Sequence, residues 1–570
     1  MQPLKLTDYE RIKPYLLLSN YEGYNSNFVT MMMWNHEYHI QYEIHEHFLI
    51  MLHNYKGTKY FAMPFTSKDY YKDAIDYMMD YAKKHHFPFM IDCAVPSFVK
   101  EVEKLYKGQL VFERIRDFDD YVYDKHSLIS LSGKKMQKRR NHYNQFVKNY
   151  PHYEYRSLSL NDDFDLIVKC LEEWESDHSS SESLTSEIYG ILFLLSSKHF
   201  LNIKMGGIFI DDELKAFTIG SPLLHNAIQI HVEKADKSIR GLYPAIAKEF
   251  LEHEFPDYDY VNREDDLGIM GLRQSKMRLH PVHMVEKTRI VIDETYIRLA
   301  TQEDEEVIKT LWLDRFEDED EQSTSFYFDH IYPHAKTYVL CLHERIISVI
   351  SVEPFVVKGY EESYYVMGVL TDRRFEGQGF MKKLFHKVLD DYKDKRLYLT
   401  AYHPEIYKSL GFLPSHFMNK VKVNKKYYKE MDTDYSLSYE VNAEVMSSLY
   451  YHYVSSYSEY RIRDVKSFEL ILGQTKAFHQ ECAILMKDHH PLGYIIYEIS
   501  NDHIDIVEMI YKREDINAII SCLVQSFKGK SITLIIDKEV NIEGETSSYI
   551  SMLCNQKDGH DHGLMINEIY

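Results

Sequence analysis

A glycine-bearing turn between a predicted strand and a predicted amphipathic helix constrains the fold of this 570-residue chain most tightly. It lies in the stretch Tyr364–Phe412 and consists of Arg374, Phe375, Glu376, Gly377, Gln378 and Gly379. Such a turn directs consecutive backbone N–H groups, and the positive end of the helix dipole, at one point. Its glycines let an anion approach the main chain closely. The pattern therefore predicts an anion site, the alternative being a glycine turn in an ordinary βα unit.

Further along the same stretch lies the segment Tyr407-Lys408-Ser409-Leu410-Gly411-Phe412. Together with the turn it resembles the GNAT acyltransferases, which bind the pyrophosphate of acetyl-CoA on such a loop. The resemblance implies acetyl-CoA as a cosubstrate, with no metal, held by the turn residues 374–379. It also implies that Met367, Gly368 and Val369 lie beside the pantetheine arm, where a backbone N–H polarises the thioester carbonyl. Tyr407 would protonate the departing thiolate; the alternative is a packing tyrosine.

The composition of the chain limits the number of domains, the kinds of partner and the cellular compartment that it can have. A chain of this length predicts three or four domains, and 45% apolar residues suffice for packed cores. The net charge of −21 argues against a dedicated binder of nucleic acid or anionic membrane, although a local basic patch stays open. Six scattered cysteines fit a reducing cytoplasm. Neither a signal peptide nor a transmembrane helix is expected from the sequence.

The order of predicted strands and helices recurs along the chain. We therefore predict an α/β (α+β) fold of four tandem GNAT-like modules in two pairs, with mixed, mostly antiparallel sheets flanked by helices. The predicted modules are residues 1–125, 126–290, 291–425 and 426–570. A strand at Asp120–Tyr123 is expected to close the first module. The second module keeps one glycine at the corresponding turn, Gly241, and the fourth has none in Arg513–Ala518. Coenzyme A is therefore expected to bind once per chain, in the third module.

The first pair carries a second resemblance. The segments LSGKKMQKRRNHYNQF, HVEKADKSIRGLYPAIAKEF and NREDDLGIMGLRQSKMRLHP are similar to the phosphatidylglycerol lysyltransferase C-terminal family. That family is a tandem of two GNAT-like folds, and the similarity covers roughly residues 1–290. Some members transfer an amino acid from aminoacyl-tRNA to a membrane lipid. The resemblance implies the fold for this chain and does not carry over the substrate.

Two charged groups in this region are open to interpretation. The predicted helix within Lys134–Lys148 has basic residues and no acidic one, which fits a tRNA, another phosphate-bearing ligand or a solvated basic face. A second set is expected to meet near one edge of the fold, as a site or, in the favoured interpretation, as an internal ion-pair network. Its members are Glu233, Lys234, Arg263, Glu264, Asp265, Asp266, Arg273 and Lys276.

The second pair resembles the enhanced-intracellular-survival type of acetyltransferase, which joins an active and a degenerate GNAT unit. In that family the terminal carboxylate reaches the active site, which implies a catalytic role for Tyr570. An alkylammonium needs a base or a lowered pKa before it can attack a thioester. Candidate bases are the Tyr570 carboxylate, Glu353 and the acidic run Glu317–Glu321; the run is otherwise a solvated turn. The pair His560 and His562 suggests a metal or, more ordinarily, solvated side chains.

The leading hypothesis is an acetyl-CoA-dependent N-acyltransferase in the cytoplasm that acts on a small, amine-bearing acceptor. One alternative is aminoacyl transfer from aminoacyl-tRNA by the N-terminal half, to a lipid or peptide acceptor. The other is a non-catalytic acyl-CoA sensor. These hypotheses make different predictions. Only aminoacyl transfer requires tRNA, and only the acyl-CoA sensor lacks turnover.

Overall fold

The computed structural model describes residues 1–176, 182–317, 319–360, 362–556 and 563–564. The chain divides into two compact units, Met1–Asp293 and Glu294–Tyr570. The division lies next to the predicted boundary between the two pairs at residues 290 and 291. The finer boundaries at residues 125 and 425 stay predictions.

The first unit combines strands and helices throughout its length. Its strands are β1 (Gln2–Pro3), β2 (Gln41–Ile44), β3 (Leu49–Tyr55), β4 (Thr58–Phe61), β5 (Met90–Ala94), β6 (Leu110–Arg114), β7 (Asp120–Asp124), β8 (Glu154–Ser157), β9 (Lys204–Ile210), β10 (Glu213–Leu223), β11 (Ala227–Ala235), β12 (Tyr260–Asn262), β13 (His283–Val285) and β14 (Thr288–Ile292). Its helices are α1 (Tyr9–Ser19), α2 (Phe28–Met33), α3 (Asn35–Tyr38), α4 (Tyr71–Lys84), α5 (Pro96–Leu105), α6 (Lys125–Ser130), α7 (Gln137–Asn149), α8 (Leu160–Ser176), α9 (Glu182–Ser196), α10 (Leu242–Glu254) and α11 (Met270–Met277).

These strands form two seven-stranded sheets that exchange strands. The first has the order β1-β2-β3-β4-β5-β14-β6 and the second the order β13-β7-β12-β11-β10-β9-β8. The strand at Asp120–Tyr123, which we expected to close the first module, therefore belongs to the second sheet. The reason is its backbone pairing, which is antiparallel to both β12 and β13. Conversely, β14 belongs to the first sheet, where it pairs antiparallel with both β5 and β6.

The second unit has the same mixture of elements. Its strands are β15 (Thr295–Leu299), β16 (Lys336–Leu342), β17 (Arg345–Pro354), β18 (Ser363–Thr371), β19 (Arg396–Leu399), β20 (Leu413–Val423), β21 (Tyr435–Ser438), β22 (Glu459–Tyr460), β23 (Gln480–Lys487), β24 (His490–Ile499), β25 (His503–Ile510), β26 (Ser531–Asp537), β27 (Gly544–Cys554) and β28 (Gly563–Leu564). Its helices are α12 (Glu305–Arg315), α13 (Glu321–His330), α14 (Phe380–Asp391), α15 (Pro404–Lys408), α16 (Lys425–Tyr428), α17 (Ala443–Val454), α18 (Val465–Ala477) and α19 (Ile516–Ser526).

A single twelve-stranded sheet crosses the second unit, in the order β15-β16-β17-β18-β19-β27-β20-β26-β25-β24-β23-β21. The late strand β27 lies between β19 and β20, pairing antiparallel with both. The predicted third and fourth modules are thus joined through one continuous ladder. The mixed α/β class with mainly antiparallel sheets is confirmed, while the count of four modules stays a prediction.

One arrangement recurs through both units. The strand pairs β4–β5, β11–β12, β18–β19 and β25–β26 are parallel. They are bridged by α4, α10, α14 and α19 respectively. Parallel neighbours need such a crossover, because a tight hairpin turn can join only antiparallel strands.

Helix α14 shows why the sequence folds locally as it does. Its buried residues are Phe380, Leu384, Phe385 and Val388, at the spacing of one helical face. Gly379 precedes the helix in the left-handed conformation, at φ +85°. The apolar face packs against β16, β17 and β18, which holds the N-terminus of α14 directly after β18.

Candidate functional site

A β-bulge interrupts β18 just before the glycine turn. The paired residues on either side are Val349 with Leu370 and Ser351 with Met367. Two residues of β18, Gly368 and Val369, therefore face the single residue Ile350 of β17. Bulges re-aim the backbone and are common beside active sites. The predicted segment Met367–Val369 is thus locally displaced from regular pairing.

Gly368 has a steric reason to be glycine. Its φ is +57°, and a Cβ at this position would lie 2.4 Å from Cζ3 of Trp312. The Trp312 ring is buried and stacks on Tyr327, with ring centroids 4.3 Å apart. The backbone of the bulge therefore lies directly on an aromatic wall formed by α12 and α13.

The strands β18 and β19 part at the same place. Their parallel register begins at Ser363 with Arg396 and ends at Tyr365 with Tyr398. Within the described residues, β18 has no partner on this side after Tyr365. Main-chain groups of Met367–Val369 on that side are consequently available to a ligand lying between the strands.

The first half of the turn is held by Asp372. Its carboxylate accepts a hydrogen bond from the Arg374 backbone at 3.0 Å and from Arg374 Nε at 2.9 Å. Burial acts to raise the pKa of Asp372, but these hydrogen bonds outweigh it and lower the pKa. We expected Arg374 to place positive charge near a pyrophosphate. The structure directs its guanidinium back onto Asp372, where it stabilises the turn itself.

The second half of the turn is open. Gly377 and Gly379 have φ of +77° and +85°, and a Cβ added to either would have no heavy atom within 4 Å. Gly379 has no side chain to cap α14, whose first-turn N–H groups lack intrahelical partners. Phe375 is buried beneath the Arg345 guanidinium, 4.7 Å from the ring centroid. A buried anchor thus supports an uncovered helix N-terminus.

The acidic run is largely exposed in its described residues, and part of it also contacts this turn. Arg373 donates to the Asp314 carbonyl at 2.6 Å and to Glu317 at 3.3 Å. Asp320 caps α13 by accepting from the backbone of Ser323 at 2.9 Å. Asp318 lies outside the described residues. The described acidic side chains therefore fasten the α12–α13 connection and the turn to each other.

Tyr407 lies on α15 and contacts Phe385 on the buried face of α14. Its ring packs edge-on against Phe385 and Phe412, with centroids 5.8 and 6.4 Å away. No described residue hydrogen-bonds its hydroxyl. Burial raises its pKa above the ordinary value of a tyrosine. The phenol therefore keeps its proton at neutral pH and can donate it to a developing anion.

The other candidates lie in different surroundings. Glu353 is 9% exposed and pairs with Tyr365 across β17 and β18. Its charge acts on Tyr327, whose ring forms the aromatic wall. Tyr570, His560 and His562 lie outside the described residues. The sequence analysis did not identify Trp312 or Asp372. The position of Asp372 directly before the turn was the local sign that could have pointed to it.

In the first unit the charged set forms ion pairs. Arg263 donates to Glu233 at 2.8 Å, and Arg273 to Asp266 at 2.8 Å. Lys276 donates to the Arg263 carbonyl at 2.6 Å. The remaining members also have partners: Lys234 with Glu187, Glu264 with Gln229, and Asp265 with Tyr24. The geometry agrees with the network that we favoured.

Among the described residues, no cluster of three or more His, Cys, Asp or Glu side chains could hold a metal ion. In the same part of the chain, none of the helices combines the length and the apolar character needed to span a bilayer. The six cysteines are all unpaired thiols.

Comparison with known protein families agrees with this geometry. Residues 296–414 match the family described as acetyltransferase (GNAT) domain. The turn, bulge and parted strands of the second unit therefore belong to an acyltransferase domain of the GNAT class, which uses an acyl-CoA cosubstrate. The first unit has a more particular identity. Residues 18–290 match the family described as phosphatidylglycerol lysyltransferase, C-terminal, and this part of the chain is a domain of that family.

An uncharacterized protein of Mycoplasmoides gallisepticum is 24% identical over 186 residues, which are 33% of this chain and 59% of that protein. This chain thus spans less than two thirds of that relative's length. Among solved structures, a conserved protein of unknown function from Bacteroides thetaiotaomicron is 28% identical, with a TM-score of 0.48. The match covers 51% of this chain and 99% of that one. Eis1 from Mycobacterium abscessus is 14% identical over 45% of this chain and 73% of its own, with a TM-score of 0.32.

Proposed function

We propose that the second unit transfers an acetyl group from acetyl-CoA to the amine of a small acceptor. The observation that carries the proposal is the parting of β18 from β19 immediately ahead of an uncovered, glycine-capped helix N-terminus. An extended pantetheine arm can continue the sheet in the gap, while the pyrophosphate takes the N–H groups of the turn. The family match of residues 296–414 supports the same cosubstrate class.

Each step of the transfer has a proposed residue. The N–H groups of residues 376–379 and of the first turn of α14 hold the pyrophosphate, and Phe375 fixes the turn from beneath. A backbone N–H within Met367–Val369 polarises the thioester carbonyl, an interaction worth about 3 kcal/mol in oxyanion holes. The acceptor nitrogen attacks the carbonyl carbon, and collapse of the tetrahedral intermediate expels the thiolate. Tyr407 gives its proton to that sulfur.

The acceptor amine must lose a proton to attack, and Glu353 is the described candidate that lies on the aromatic wall. A buried carboxylate whose charge acts on Tyr327 suits a cationic ammonium, which the ring face of Tyr327 also attracts. The acidic run is a poorer base, since its described carboxylates are engaged by Arg373, Ser323 and the N-terminus of α13.

Titration calorimetry of the intact chain with acetyl-CoA and CoA tests the proposal, followed by product detection with a panel of amines. Binding of acetyl-CoA and turnover of at least one amine are expected. Absence of acetyl-CoA binding would refute the assignment. Binding without turnover of any amine would leave the sensor hypothesis in its place.

A second candidate function belongs to the first unit. Its match to the lysyltransferase C-terminal family favours transfer from an aminoacyl-tRNA. The exposed lysines of the segment 134–148 supply a surface for phosphates. Binding of tRNA that weakens steeply with salt, and that is lost when these lysines are neutralised, is the expected result.

A further inference from the structure

The basic residues around α7 fall into two groups with different surroundings. Lys138 and Lys148 are exposed. Arg139 lies on the opposite, inward face, because positions 139, 143 and 146 share one side of a helix. On that side Phe146 is completely buried. Arg139 is therefore a partly exposed side chain on the inward face, in contrast to the exposed lysines.

Arg139 enters the interior without a partner. Its Nε is buried and makes no hydrogen bond, and no described residue forms an ion pair with its guanidinium. Burial, and next the like charge of Arg263, lower the pKa of Arg139 to about 10. A guanidinium has five N–H donors and is rarely left unsatisfied when buried.

The neighbouring carboxylate is already engaged. Glu233 accepts from Arg263 at 2.8 Å, and both side chains are largely buried, with exposures of 10% and 17%. Around Tyr123 there are thus two guanidinium groups and one carboxylate. Lys276 does not add to this excess, because the carboxylates of Glu264, Asp265 and Asp266 act on it with the opposite charge. The three side chains around Tyr123 therefore carry one more positive than negative charge.

The position of these side chains in the fold is that of a ligand cleft. The parallel pairing of β11 with β12 ends at Gln229 with Asn262. Glu233 lies further along β11, and Arg263 directly follows β12. Arg139 thus reaches the gap where two parallel strands part, which is also the place where β18 and β19 separate in the second unit.

We propose that Arg139 is the anchor of an internal anion site in the first unit, and that the site takes a phosphoryl group. The guanidinium fork matches two phosphate oxygens and would supply the missing charge balance. A phosphoryl group is favoured over a single carboxylate, because the exposed Lys134, Lys135 and Lys138 precede Arg139 closely in the chain and attract multiply charged anions. The site stands independently of acetyl transfer in the second unit.

The test uses the full chain carrying Gly377→Glu and Gly379→Glu, so that the turn of the second unit does not bind the probe. Inorganic pyrophosphate is titrated while the thermal unfolding midpoint is measured. Pyrophosphate is expected to raise the midpoint of this background. Arg139→Met should weaken the apparent affinity about ten- to a hundredfold, which is the loss of one charge-assisted pair. Lys100→Met, an exposed lysine on α5 outside the segment 134–148, should leave it within about twofold.

The ligand-free proteins give a second readout. Because Arg139 is partly exposed and makes no ion pair with a described residue, Arg139→Met should leave the midpoint without pyrophosphate within about two degrees of the background. Arg139→Lys keeps the charge without the fork and should bind with intermediate affinity. The proposal is overturned if pyrophosphate does not stabilise the background. It is equally overturned if Arg139→Met and Arg139→Lys bind pyrophosphate like the background.

Two further arms identify the source of the phosphoryl group. In the same background, CoA and tRNA each compete with pyrophosphate if they use this site. If CoA competes with pyrophosphate and Arg139→Met abolishes this competition, the ligand is a nucleotide. Competition by tRNA alone, with the same dependence on Arg139, assigns the phosphates of an RNA.

Discussion

The turns that open α10 and α14 begin alike and end differently. Each helix follows a strand of a parallel pair, and each starts at a glycine in the left-handed conformation, Gly241 at φ +93° and Gly379 at φ +85°. A Cβ on Gly241 would lie 2.2 Å from the backbone oxygen of His142, whereas Gly379 is open. The first helix N-terminus is covered by α7, and the second faces solvent.

The contrast teaches that a glycine cap by itself does not make an anion site. In the first unit the glycine permits two helices to approach closely, so its role is packing. In the second unit no described residue comes within 4 Å of a Cβ placed on Gly379, and the same conformation leaves N–H groups for a ligand. What covers the turn decides its function, and this information lies elsewhere in the chain.

The largest expected effect comes from closing the open turn. Gly377→Glu combined with Gly379→Glu should weaken acetyl-CoA binding more than about a hundredfold, because carboxylates replace the anion and two charge-assisted contacts are lost. Calorimetry measures the change. Gly359→Glu is the matched control, since Gly359 also has positive φ, +86°, and open space around it. Unchanged binding in the double variant would remove the contrast between the two turns.

Tyr407→Phe should lower kcat about a hundredfold while KM for acetyl-CoA stays similar, because a general acid acts in the transition state. Steady-state kinetics with an identified amine measures it. Tyr427→Phe is the control, a tyrosine that is 51% exposed. If kcat is unchanged where chemistry limits the rate, Tyr407 is a packing residue and the open turn has no working acid beside it.

Alanine at the two caps separates packing from binding. Gly241→Ala should lower the free energy of unfolding by about 2–5 kcal/mol, from left-handed strain and from overlap with His142. Gly379→Ala should cost about 1–2 kcal/mol, from strain alone. Denaturant unfolding of both variants measures the difference. Equal losses would mean that α7 does not constrain the first turn.

The last prediction concerns the pH dependence of stability in the first unit. Burial lowers the pKa of His231 in the first unit to about 3. Below pH ~6.5 the unfolded chain binds this proton and the native chain does not, so stability falls on acidification by about 1.4 kcal/mol per pH unit. Above that pH the group contributes no slope. His231→Gln should reduce the slope between pH 6.5 and 4 by one proton; an unaltered slope would show that His231 is not protected.

Local features were predictable from the sequence. The glycine turn and the amphipathic α14 rest on neighbouring residues. The resemblances to the GNAT acyltransferases and to the phosphatidylglycerol lysyltransferase C-terminal family are confirmed. The roles assigned to Tyr407 and to the turn residues stay predictions.

Pairings between distant residues were not predictable. The placement of β7 and β27 depends on hydrogen bonds to strands far away in the chain, which leave no local pattern. The Arg374 guanidinium could bind either a protein carboxylate or the expected ligand. The sequence does not show that it binds Asp372. The contact of Trp312 with Gly368 joins a helix to a bulge that periodicity alone does not reveal.

The insertion of β27 between β19 and β20 also sets an order of events during synthesis. Residue Tyr398 of β19 pairs with Cys554, which leaves the ribosome roughly 8 to 30 s later at ordinary elongation rates. Until then one edge of β19 lacks its final neighbour, and an unpaired edge can recruit other strands. This edge of β19 in the nascent second unit therefore stays exposed until β27 has been synthesised. Chains stalled before residue 544 should need a chaperone to stay dispersed.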